Sequence, residues 1–185
     1  MSYVVRPWAL RDLKDVMRLI REGATFHKAL DQVKTTPEAL REDGFGTDPK
    51  FGCLVAEVPP DQRSKDDVPF SLPLTLVSPG HTIVGYQFHY FRYCTWTGRI
   101  IFGEDLYVMP EFRGKGIGTS LLSQVAKLML AHGCKQFRFM SANWNHPATA
   151  LYEKLGAVDV TARDNWVIWH IEGQAVQEMA QQATQ

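Results

Sequence analysis

Residues 107–130 read YVMPEFRGKGIGTSLLSQVAKLML, and the reading of that stretch decides the fold. YVM closes an apolar run with strand character, and the residues after Gly118 carry the apolar spacing of a helix that Gly133 would stop. Between the two runs stand Gly114, Gly116 and Gly118, with Arg113 and Lys115. A helix start leaves several backbone N–H groups without internal partners and carries the positive end of the macrodipole. Glycines let such a backbone approach an anion closely, and two cations add charge, so the turn reads as a cradle for a pyrophosphate. A P-loop would need Gly-Lys followed by Ser or Thr, and a dinucleotide fingerprint would need glycine where Thr119 stands. Both fail on the residues. A turn without a ligand is the alternative, but three alternate glycines lose more conformational entropy than a plain turn requires.

The composition sets the frame around this turn. With 185 residues, the chain is long enough for one domain, 1–185, with a substantial core. Its 20 basic and 20 acidic residues cancel, so nothing global points to nucleic acid or an anionic membrane. No apolar run approaches the roughly 20 residues that span a bilayer. The opening MSYVVRPWALRDLK places charge where a signal peptide needs an apolar core. Cys53, Cys94 and Cys134 are odd in number and lack metal-type spacing, which predicts reduced packing thiols, no metal and a cytoplasmic location.

Elsewhere the patterning alternates strands and helices. A short strand is expected at 3–6, and Leu13, Val16, Met17 and Ile20 form a helical stripe. TTPEALRED predicts a helix capped by Thr36, with Pro37 at its first position, ending by Gly44. Strands are expected at 51–58, 81–93 and 98–109, with CTWT as the turn between the last two. Strand character returns at KQFRFMSA, helix character at HPATALYEKLG, and strand character once more at NWVIWHIE. The segment 59–80 holds five prolines and a charged patch and reads as an insertion loop or surface flap. The order β-α-α-β-β-β-α-β-α-β implies an α/β (α+β) fold with one mixed sheet flanked by helices.

The pattern Arg-x-x-Gly-x-Gly between a strand and a long helix resembles the acetyl-CoA-binding motif of the GCN5-related N-acetyltransferases. EDGFG (42–46), CLVAEVP (53–59), EDLYVMPEFRGKGIG (104–118) and WN…LYEKLGA (144–157) are similar to the spermidine/spermine acetyltransferase branch, nearer its thialysine-acetylating members. The resemblance implies a central mixed sheet that splays open, and direct attack of a neutral amine on the thioester of acetyl-CoA. Such chemistry needs a carboxylate to drain the amine's proton and a donor beside the departing sulfur. The resemblance assigns the donor to Tyr152, the base to Glu104 acting through water, and Asp105 to the acceptor site. Alternation along a regular strand would send these two carboxylates to opposite faces. Gly103 is expected to help the strand bulge and splay for the pantetheine arm. Backbone groups of Leu106, Tyr107 and Val108 would bond that arm, and Arg113, Gly114, Lys115, Gly116, Ile117, Gly118 and Thr119 would take the pyrophosphate. Asn145 would reach the pantetheine or cap a helix.

Two acidic positions of the polyamine enzymes carry other residues here, His27 on the first helix and Cys94 beside Trp96 in the hairpin. Asp164 keeps a carboxylate, with Trp166 after it. Each lost charge contact at a partly desolvated site would cost about 1–3 kcal/mol, which favours a lysine-like acceptor over spermidine. A polyamine acetyltransferase proper, an acetyl-CoA-binding regulatory module without turnover, and acetylation of protein lysines or N-termini are the alternatives. The resemblance also implies a homodimer with its site near the interface.

Overall fold

The computed structural model describes residues 1–59 and 82–182. Apart from Pro59, the expected insertion loop lies outside the described residues. Two compact units emerge, Met1–Met140 and Ser141–Gln185.

The first unit is built on five strands: β1 (Val4–Pro7), β2 (Gly52–Val58), β3 (Thr82–Cys94), β4 (Gly98–Val108) and β5 (Gln136–Phe139). They lie side by side in chain order. The first three pairings are antiparallel and β4–β5 is parallel, which gives the mixed sheet expected from the pattern. Helices α1 (Leu13–Phe26), α2 (Pro37–Phe45) and α3 (Ile117–Ala131) cover it. Val16, Met17, Leu19 and Leu40 pack on Cys53, Val55, Tyr86 and Phe88. Ile117, Leu121 and Val125 pack on Leu54, Ala56, Val84 and Ile101. Thr36 caps α2 as its sequence predicts, accepting the Ala39 N–H at 3.1 Å, although α2 runs through Gly44 to Phe45. Gly133 follows α3 in the left-handed conformation, the expected stop.

The ladder between β4 and β5 spans Ile100–Gly103 against Gln136–Phe139 and goes no further. Gly103 sits under the Phe137 ring, where a Cβ would come within 2.8 Å of it. Its lack of a side chain is therefore a packing requirement of β5 as well as a companion to the bulge described below. Among the described residues, no strand pairs with the β5-facing edge of Leu106, Tyr107 and Val108.

In the second unit, α4 (His146–Lys154), α5 (Val160–Asp164) and α6 (Gln174–Gln181) are helical. The strand expected at 165–172 is absent: those residues are irregular and exposed, Trp166 and Trp169 included. Local signals explain the difference. Asp159 caps α5 by accepting from Thr161 and Ala162, and Asn165 leaves the helix in the left-handed conformation. Among the described residues, that apolar run has no neighbouring strand to complete its backbone hydrogen bonds.

Arg6 clamps β1, β2 and the lead-in to α1 together. Its Nη1 and Nη2 donate to Asp12 at 2.7 and 2.9 Å, and its Nε donates to Glu57 at 2.6 Å. Burial pushes the Asp12 carboxyl up, but the Arg6 bonds, the Ala9 N–H and the nearby arginine charges outweigh it and hold the group below its ordinary value. A carboxyl depressed in the folded state stabilises above its unfolded pKa, and that contribution fades as pH falls through the folded value. Urea titrations should show this loss below about pH 4. Asp12→Asn should cost about 2 kcal/mol at neutral pH and flatten the acid dependence.

Candidate active site

The β3–β4 ladder pairs Phe88 with Asp105 and His89 with Gly103, so Glu104 is an extra residue, a β-bulge in β4. The bulge beside Gly103 matches the sequence expectation, but the expectation of opposed carboxylates does not hold. Tyr86 donates its hydroxyl to Asp105 Oδ2, and Tyr90 donates to Glu104 Oε2 at 3.3 Å. Residues 86 and 90 share one face of β3, so both carboxylates meet that face. The inserted residue cancels the alternation that a regular strand would impose.

The two acids differ in surroundings. Glu104 is exposed. Solvent also reaches Asp105, yet protein atoms crowd it from several elements, and the loss of surrounding water raises its carboxyl above the ordinary value. The Tyr86 hydroxyl, the Leu106 N–H and the charge of His27 act in the opposite sense without cancelling that rise. His27 ends α1 and meets Phe26 edge-on, with ring centroids 5.2 Å apart.

Below the bulge, β4 leads through Met109 and a short helical turn, Pro110–Phe112, into the glycine turn. Gly114 and Gly116 have φ of 71° and 86°, a conformation in which a side chain is strained. Gly116 is the N-cap of α3, no side chain caps that helix, and no acid stands in its first turn. Ser120 N bonds Gly116 O at 2.9 Å, so the N–H groups of Ile117, Gly118 and Thr119 have no acceptor inside the helix. A Cβ at Gly114 would meet nothing within 4 Å, which leaves room for an anion above the turn. The basic side chains are tied back. Arg113 Nε donates to Val108 O at 2.8 Å with its guanidinium over the Phe26 and Tyr107 rings. Lys115 Nζ donates to Glu111 O at 2.8 Å.

The structure brings His27, Glu104, Asp105, Leu106, Tyr107, Val108 and residues 113–119 into the first unit. Tyr152, Asn145, Asp164 and Trp166 belong to the second. Tyr152 is half-buried on α4. Asn145 caps that helix, accepting the Ala148 N–H at 3.4 Å. Asp164 is gripped by Arg163 at 2.6 and 2.7 Å. Trp96 is exposed at the hairpin tip. Among the described residues, no group of His, Cys, Asp and Glu has the arrangement of a metal site. Sequence reasoning missed Tyr86 and Tyr90. The only available signal was their spacing in YQFHY, since aromatic residues at alternate strand positions ordinarily read as packing.

Residues 39–157 match the model of the acetyltransferase (GNAT) family. The chain is 46% identical over 169 residues to the thialysine N-epsilon-acetyltransferase of Mus musculus, covering 91% of this chain and 92% of that one. It is 44% identical to the enzyme of the same name from Sus scrofa, over 97% and 98% of the two chains. In fold it is similar to an integron cassette protein from the mobile metagenome of V. cholerae, with TM-score 0.68 at 16% identity, covering 97% and 98%.

Cys94 departs from the expectation of three packing thiols; Cys53 and Cys134 are buried, and Cys94 ends β3 near the surface. The Thr97 hydroxyl makes no hydrogen bond of ordinary geometry, yet it lies near enough to the sulfur to favour a thiolate. With the Trp96 and Thr97 N–H groups and the Arg138 guanidinium, whose Nη2 is 3.4 Å from the sulfur, it lowers this thiol to about 7. Alkylation by iodoacetamide should therefore label Cys94 first, with a rate that rises through pH 7, while the two buried thiols lag. Peptide mapping of Cys94→Ser should show that fast label gone.

Proposed function

The chain belongs to the acetyltransferase (GNAT) family, and from that premise we propose that it moves the acetyl group of acetyl-CoA to the side-chain amine of a thialysine- or lysine-like amino acid. The family affiliation makes it an N-acetyltransferase acting on an amine; the choice of acceptor is the proposal. One observation carries the reading: a pair of carboxylates at a bulge stands on the strand that runs directly into an uncapped, glycine-led helix start. That juxtaposition offers acids for a cationic amine on one side and N–H donors for a pyrophosphate on the other.

In this reading residues 1–185 act as one acetyltransferase domain of a cytoplasmic homodimer. The N–H groups of Ile117, Gly118 and Thr119 hold the pyrophosphate, and the glycines at 114 and 116 allow it to come close. Backbone groups of Leu106, Tyr107 and Val108 receive the pantetheine as an added strand would, with Asn145 in support. A carboxylate of the bulge takes the proton of the acceptor ammonium, whose free pKa is about 10.4. As the amine's C–N bond forms and the C–S bond breaks, Tyr152 supplies a proton to the departing sulfur and regains one from the second proton that the nitrogen sheds. His27, Cys94, Trp96, Asp164 and Trp166 bound the acceptor. With His27 at the end of α1 in place of an acid, the site suits an acceptor that brings its own carboxylate.

Release of free CoA from acetyl-CoA, measured over spermidine, putrescine, diaminopropane, lysine, thialysine and a lysine peptide, tests the choice. Thialysine and lysine should exceed spermidine in kcat/KM. The opposite order would return the enzyme to the polyamine class, and binding of acetyl-CoA without release would favour a regulatory module. Tyr152→Phe should lower kcat by about 10²- to 10⁴-fold while leaving acetyl-CoA affinity in place. An unchanged kcat would remove the tyrosine from the reaction.

A further inference from the structure

Tyr86 is fully buried, 0% exposed, and its hydroxyl is spoken for by a carboxylate that solvent reaches. An unpaired phenol in that core would carry a desolvation cost, so the bond to Asp105 couples the sheet interior to the acceptor side of β4. The contact to Glu104 is of another kind: Tyr90 lies near the surface, its bond is 3.3 Å long, and water competes for both partners.

We propose that Tyr86 is a positioning residue for acetyl transfer: by donating to Oδ2 it holds Asp105 as the oriented carboxylate that receives the acceptor amine's proton. The inference rests on the acetyltransferase reading given above and assigns the base within it to Asp105 rather than Glu104. The proton that leaves the acceptor ammonium before attack passes to the Asp105 carboxylate and on to the solvent that reaches it. The second proton, shed as the N–C bond forms, replaces the one given to the sulfur, and Tyr86 keeps its own. Burial, and then the negative charge of Asp105, push the Tyr86 phenol well above its ordinary value, so it stays a neutral donor throughout. Asp105, raised by crowding, is a stronger base than a carboxylate in open water. The other titratable groups that act on the pair are Cys53 on β2, itself pushed up by burial, His27 at the end of α1 toward Asp105, and Tyr107 on β4 toward Tyr86, with Glu104 next to Asp105 along the chain.

The test is kcat/KM for the acceptor as a function of pH. Tyr86→Phe removes one oxygen and a bond that stabilises the carboxylate form. The acid limb should move up by about one pH unit, with the rate recovering at higher pH and KM for acetyl-CoA unchanged. The same move should persist in a His27→Asn background, which separates it from the histidine. Asp105→Asn should abolish the limb and lower the rate by about 10²- to 10⁴-fold, and adding Tyr86→Phe to it should cost nothing further. An acid limb that Tyr86→Phe leaves in place overturns the inference while the acetyltransferase reading stands. So does a limb that survives in Asp105→Asn, an arm that decides the matter even if Tyr86→Phe folds poorly. A wild-type protein inert toward every amine sinks both.

Discussion

One inserted residue in β4 governs the arrangement of the candidate site. Upstream of Glu104, β4 is in register with β5 over Ile100–Gly103. Downstream, Asp105–Val108 stay in register with Phe88–Gly85 of β3 but have no β5 partner among the described residues. The bulge therefore marks the place where the strand changes from a sheet-interior element to one with a free edge. It also turns two consecutive carboxylates toward one face, where β3 presents tyrosines four residues apart. Acid chemistry and an open backbone edge thus arise from the same local defect.

The strand continues from that defect toward the uncapped, glycine-led start of α3. Phe112 and Ile117 anchor the turn in the core beside Val84 and Leu121, so Gly114 and Gly116 are held between fixed points. Their left-handed conformations are thereby imposed by the flanking packing, and the helix start is uncapped because a glycine occupies the position where Ser, Thr or Asp would cap it. Arg113 folds back onto the end of β4 and the Tyr107 ring, which braces strand and turn against each other.

Much of this was readable from residue order. The α1 stripe, the Thr36 cap, the Gly133 stop, the mixed sheet and the glycine turn all depend on local patterns, and they stand where the patterns put them. What escaped was non-local. The two-residue period that separates Glu104 from Asp105 assumes regular pairing, and only the β3–β4 register reveals the extra residue. Gly103 has its place because Phe137 arrives from 34 positions later. Tyr86 reads as an ordinary core aromatic until Asp105 is seen against it. The 165–172 run has strand composition, but composition supplies no partner strand, whereas the Asp159 cap and the left-handed Asn165 are complete locally.

The division between the two acids follows from where charge is tolerated. A carboxylate at the surface is stabilised by water and gains little from any one neighbour. Asp105 has exchanged part of its hydration for one phenol, one N–H and a nearby imidazole, a set that does not fully replace water. In the proposed reaction an approaching ammonium would complete the missing solvation, and the same shortfall favours accepting a proton. Moving the phenol out of the core would weaken that balance from the inside, and adding a second acid at His27 or Cys94 would change it from the outside. In the proposed acceptor site, a crowded carboxylate with His27 in place of an acid at the end of α1 is matched to an amine of limited charge, which is the physical reason for proposing an amino acid there in place of a polycation.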